Sequence, residues 1–222
     1  LHWFEGMAWY GDAPRDWKKV RTAFETVLDL EPSFTNANFF LAQGSFDEGS
    51  RLLADEGEKR AGQAFRYSAA KWAKYLGDFG ESHVNDAALA DRIAWLITKS
   101  TRKDAVKLLQ WLTRARPGDH EAWQNLGFFL RETRKHEESL AAYEKALEIA
   151  PEDPQILNDA AVILHYYLKR DDAIALAWYE KAAAIAAAQL ESSDLDDDAK
   201  ARVEVALRDS RTNIGRLQKG DR

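Results

Sequence analysis

Along Glu121–Leu130, "EAWQNLGFFL", apolar groups recur at Trp123, Leu126, Gly127 and Leu130, the i, i+3, i+4, i+7 spacing of one helix face. The polar run "RETRKHEE" interrupts the pattern, and a second stripe follows at Leu140, Tyr143, Ala146, Leu147 and Ala150. Pro151 ends it, because proline lacks the amide that a helix interior needs. The pattern predicts a helix, a short turn, a second helix and a stop. Gly127 is the odd member, since glycine costs a helix interior about 1 kcal/mol relative to alanine. That cost is offset if the missing side chain lets the second helix lie close against the first, with Trp123 filling the space beside it.

The same unit recurs at a constant offset. In "RKDAVKLLQWLTRARPGD", Ala105, Leu109, Leu112 and Pro117 stand 34 residues before Ser139, Tyr143, Ala146 and Pro151. Helix pairs repeating at about that period, with Trp123, Leu126, Gly127, Tyr143, Ala146 and Pro151 at signature places, resemble the tetratricopeptide repeat family. The resemblance is sharpest over His120–Asp153, where Leu130 replaces an aromatic and Ser139 replaces alanine. It implies an all-α, right-handed superhelical solenoid of about five antiparallel helix pairs with a C-terminal capping helix.

On this reading residues 1–34 are a first repeat, with Phe4, Met7 and Ala8 on its first helix and Phe24, Val27 and Pro32 on its second. Residues 35–85 are a divergent, longer pair, with Leu41 and Ala42 in the Leu-Gly place. Residues 86–119 follow as a repeat carrying Leu89, Ile93 and Leu96, then the best-matching repeat at 120–153. In 154–190, Tyr179 and Ala182 come two residues late, an insertion assigned to the turn near Lys169–Asp172. Residues 191–222 form the capping helix and tail, whose polarity suits an end unit with no neighbour to cover it.

The first helices of such pairs line a concave groove that typically holds a peptide, as the resemblance implies. The period stacks Ala94, Phe128 and Val162 in one row, flanked by Ala90, Gln124, Asn158 and by Ile97, Arg131, His165. Trp9 is assigned the place of Phe128 in the first repeat. The candidate partner-binding residues are therefore Trp9, Gln124, Phe128, Arg131, Asn158, Val162 and His165. Phe128 is the informative one, an apolar group opposite the packing stripe: it either floors the groove or packs between neighbouring first helices. Some family members clamp an acidic peptide C-terminus with Lys, Arg and Asn side chains; here the matching places hold mostly Ala90, Asp91, Glu121, Gln124 and Asn158, with Asn125 the one residue of the required type. That clamp is incomplete.

Composition narrows the alternatives. Of 222 residues 45% are hydrophobic and 31% charged, with net charge −6. The chain can bury a core, holds no apolar run long enough for a membrane span, and repels phosphate, so nucleic acid is not an expected partner. No cysteine is present, which removes thiolate chemistry and disulfides and leaves cytoplasm and periplasm equally open. The first residue is Leu1 rather than methionine, leaving room for an upstream signal or anchor.

The run "DLDDD" at Asp194–Asp198 lacks the glycine and closing glutamate of a calcium loop and reads as a helix start. His2, His83, His120, His136 and His165 show no ligand spacing, and no phosphate-loop, nucleophile-elbow or dinucleotide motif occurs. Neither a metal, a cofactor nor a catalytic residue is expected. Trp72, Trp95, Trp111, Trp123 and Trp178 lie on helical stripes and read as packing groups. The expected function is a non-enzymatic interaction module that binds a protein or peptide. The alternative is a structural subunit associating through the solenoid ends or the aromatic first helix "LHWFEGMAWY".

Overall fold

The computed structural model describes residues 1–12, 16–191 and 195–221, and every regular element among them is helical. The chain divides into two compact units, Leu1–Arg116 and Pro117–Arg222. The first holds α1 (His2–Gly11), α2 (Trp17–Leu30), α3 (Asn36–Glu56), α4 (Glu58–Phe79), α5 (Ala87–Ile97) and α6 (Arg102–Ala115), with a 3-10 turn at Gly80–His83. The second holds α7 (His120–Glu132), α8 (His136–Ile149), α9 (Pro154–Val162), α10 (Asp172–Glu191) and α11 (Asp197–Gln218), with a π-helical segment at Ile163–Leu168 continuing α9.

Aspartates start many of these helices by accepting backbone amides that the first turn leaves unpaired. Asp16 accepts from Lys19, Asp86 from Leu89, Asp119 from Ala122 and Asp153 from Gln155 and Ile156. Asp196 does the same for Ala199, so the acidic run opens α11; Asp194 lies outside the described residues. The ends of α2, α6 and α8 share one geometry. Glu31, Arg116 and Ala150 stand at ψ 83°, 70° and 73° and donate back to Val27, Leu112 and Ala146. Each precedes a proline, whose ring drives the preceding residue out of the helical region.

Within the second unit α7 and α8 meet at Gly127. A Cβ there would lie 2.9 Å from two carbons of the Tyr143 ring, and Ser139 Oγ donates to the Gly127 carbonyl at 2.7 Å. In the first unit Ser68 Oγ donates to the Ala42 carbonyl at the same 2.7 Å. Gly6 likewise faces Phe24, 2.8 Å from an added Cβ.

Two sequence expectations are corrected in detail. The residues of α1 packed on the Val20, Phe24, Leu41 cluster are Trp3, Trp9 and Tyr10, whereas Phe4 is 75% exposed and Met7 and Ala8 also face outward. The Gly6–Phe24 contact sets the register, so Trp9 occupies the place of Leu130 and Met7 that of Phe128. The two extra residues of the 154–190 pair are in its first helix, not the turn: both turns have three residues, and the surplus is absorbed by the π-helical segment before Lys169 (φ 53°). Trp95 packs as expected, its ring edge-on to Phe46 and Phe65, although it is 39% exposed. The extra length of residues 35–85 also lies in helices. α3 and α4 have 21 and 22 residues and are joined by Gly57 alone, at φ 84°, where glycine is unstrained.

Candidate partner-binding site

The α7 helix has two faces of opposite character. Ala122, Leu126, Gly127 and Leu130 are buried, while Phe128 is 40% exposed. Arg131, one turn on, holds its guanidinium carbon 4.9 Å from the Phe128 ring centroid, and Phe129 meets the same ring edge-on at 5.2 Å. An arginine stacked this way supplies a flat amphipathic patch: aromatic carbon beside a guanidinium edge.

Behind that patch lies a buried polar group drawn from three helices. Tyr143 of α8 is fully buried and, among the described residues, neither its hydroxyl nor the buried Arg131 Nε has a hydrogen-bond partner. Burial pushes the Tyr143 phenol far up, and the charge of Asp159 on α9 adds to this. Burial also raises the Asp159 carboxyl, against the pull of Gln155, Arg131 and Asn158. The Gln155 amide donates to both Asp159 oxygens, at 3.4 and 3.3 Å, and opposes that rise most, with the Arg131 charge next. Arg131 thus has the Phe128 ring against its guanidinium on one side, while its charge acts on Asp159 on the other.

Two expected groove residues are not open to a partner. Asn158 is 4% exposed and His165 is fully buried, because α11 lies on this face of α9. Asn158 Oδ1 accepts from Asn213 at 3.1 Å and from Ser210 at 3.4 Å. His165 Nε2 donates to the Asp221 carbonyl at 2.8 Å, leaving Nδ1 to accept from the Tyr179 hydroxyl at 3.4 Å. Tyr166 donates to Asn213 at 3.0 Å and accepts from Arg216. The polarity of these positions serves an internal network, and the correction has a physical cause: the period treats every first helix alike, but the last one carries α11. Val162 is half-buried against the Leu140–Tyr143–Ile163 cluster. Trp9, in the other unit, is half-buried with the Lys19 ammonium 4.1 Å from its ring, and acts as a packing residue there.

Gln124 remains available, and it lines a cleft of about 720 Å³ that the sequence reading missed. One wall is formed by Glu121, Gln124 and Asn125 of α7, the floor by Pro151 to Gln155, and the opposite wall by Arg202 and Val203 of α11. The signal for that wall was present: Ala206, Ser210 and Asn213, the buried residues of α11, recur at i, i+4 and i+7 as small or short polar groups that permit close approach.

The tetratricopeptide repeat sequence profile matches residues 120–153, the pair formed by α7 and α8. No curated protein matches the chain. Among solved structures, one of MamA is similar at 14% identity and TM-score 0.42, covering 80% of this chain and 92% of that one. The TPR2AB domain of yeast Sti1, solved in a complex designated pHSP90, is similar at 14% identity and TM-score 0.46, covering 94% and 96%. TTC0263 of Thermus thermophilus, a thermophilic tetratricopeptide repeat protein, is similar at 19% identity and TM-score 0.34, covering 86% and 90%. Residues 120–153, with their Gly127–Tyr143 contact and their stop at Pro151, form a tetratricopeptide repeat.

Proposed function

We propose that this protein is a non-enzymatic interaction module, an adaptor, scaffold or assembly factor that holds a protein or peptide partner against the exposed face of α7. The observation that carries the reading is Phe128, 40% exposed on a matched repeat and capped by Arg131. Aromatic and arginine side chains dominate binding energy where partners meet. A fold of this kind hosts many roles, so the role rests on the site and not on the architecture. Affinity purification from source cells followed by mass spectrometry identifies the partner. Phe128→Ala with Arg131→Ala is then expected to weaken capture about tenfold or more while the far-ultraviolet circular dichroism stays unchanged. Retention of full binding moves the site off α7.

A second reading, a subunit that assembles through its end, is favoured by α1, where Leu1, Phe4 and Met7 form an outward apolar stripe beside the packed face. It expects a mass above 25.2 kDa that depends on concentration in light scattering. A concentration-independent monomer counts against it.

A further inference from the structure

We infer that the cleft between α7, the start of α9 and α11 receives a segment of a partner polypeptide bearing lysine or arginine. The inference rests on the interaction-module reading and specifies its partner. Its first support is shape. At about 720 Å³ the cleft is within the roughly 300–1,000 Å³ typical of ligand sites, and all its walls belong to one compact unit. The α11 wall is pinned below the cleft by the Asn158, Ser210 and Asn213 bonds, so the space is formed before anything enters it.

The second support is chemistry. Gln124, Asn125 and Gln189 present primary amides to the cleft, each a donor and an acceptor that pairs with one peptide unit of an extended chain. Glu121 and Glu152 face the same space with no ion-pair partner among the described residues, and Arg202 is the one lysine or arginine in the lining. A small anion is disfavoured at the helix starts that border the cleft. The backbone amides it would use at α7 and α9 are already taken by Asp119, from Ala122, and by Asp153, from Gln155 and Ile156. The cleft thus offers carboxylates for a cationic side chain and amides for a main chain. Neither Phe128 nor Arg131 lines it, so the two surfaces are separable by mutation.

The test uses the whole chain and two fluorescein-labelled, capped dodecapeptides, a Gly-Lys-Gly-Arg repeat and a Gly-Glu-Gly-Asp repeat, at near-physiological salt of about 0.15 M. Fluorescence anisotropy is expected to detect the basic peptide alone, and amide NMR shifts are expected to cluster at Glu121–Asn125 and Ala199–Ala206. Glu121→Gln with Glu152→Gln should weaken binding about tenfold, while Glu144→Gln with Glu180→Gln, which removes equal charge from α8 and α10, should change it less than about twofold. Equal losses in both double variants, or shifts spread over the surface, would show general attraction to an acidic protein and overturn the proposal. The same holds if the native partner is captured normally by Glu121→Gln with Glu152→Gln but lost with Phe128→Ala, which leaves the module reading standing. If wild type retains neither the peptide nor any partner, the module reading fails as well.

Discussion

Gly127→Leu is expected to lower the melting temperature by about 10–20 °C, the equivalent of roughly 3 kcal/mol or more in a unit of this size. The first added carbon would already stand 2.9 Å from Tyr143 Cδ2 and Cε2 and 3.0 Å from Cε1, so it faces the flat of the ring. That ring has nowhere to go. Tyr143 is fully buried in a cluster with Leu140, Ile163 and Tyr179, and the α7 and α8 backbones are tied beside it by the Ser139–Gly127 bond. The intrinsic helix preference of leucine returns only about 0.8–1 kcal/mol, well short of an overpacking cost of that size plus the three further carbons. Gly127→Ala separates the two effects, because it adds the colliding carbon alone and is expected to cost about 1–2 kcal/mol net. Thermal melts followed by circular dichroism decide the matter, and an unchanged melting temperature for the leucine variant would remove close packing as the reason for this glycine.

That glycine was legible in the sequence because its cause is local and periodic. A residue between a helix stripe and a partner stripe 16 positions on must be small if an aromatic group crosses it, and Tyr143 occupies that place. The stops at Pro32, Pro117 and Pro151 were legible for the same reason, each acting on the residue just before it. Asn158 and His165 failed the sequence reading because polarity at a repeating position has two causes that look alike in one dimension. A side chain can be polar to meet water or a partner, or polar to meet Ser210, Asn213 and the Asp221 carbonyl, more than 50 positions away. Trp9 failed for another reason: α1 has Gly6 without a preceding leucine, so only the Gly6–Phe24 contact fixes its register. The cleft went unread because it requires knowing which face of α11 is turned inward, and the small side chains that decide this carry a weak hydrophobic signal.

Trp111→Ala is expected to be among the most damaging single changes in the first unit, costing about 3–5 kcal/mol. The side chain is 1% exposed, and its indole fits where a glycine leaves room: a Cβ on Gly80 would stand 2.6 Å from Trp111 Cδ1. Its Nε1 donates to the Gly80 carbonyl at 2.9 Å, joining α6 to the turn that follows α4. Truncation therefore opens a large cavity and strands a buried acceptor at once. Trp111→Phe divides these contributions, since it keeps an aromatic ring in the space and loses the hydrogen bond, for an expected cost of about 0.5–1.5 kcal/mol from that bond plus a smaller packing loss. Denaturant titrations at constant slope provide the comparison. If the phenylalanine variant were as unstable as the alanine variant, the bond to Gly80 and not the filling of space would be what anchors α6. If neither lost stability, the indole would be free to serve a ligand. Its burial and its bond to main chain argue for a structural role, as the shared geometry of ring, glycine and carbonyl leaves it no face to offer.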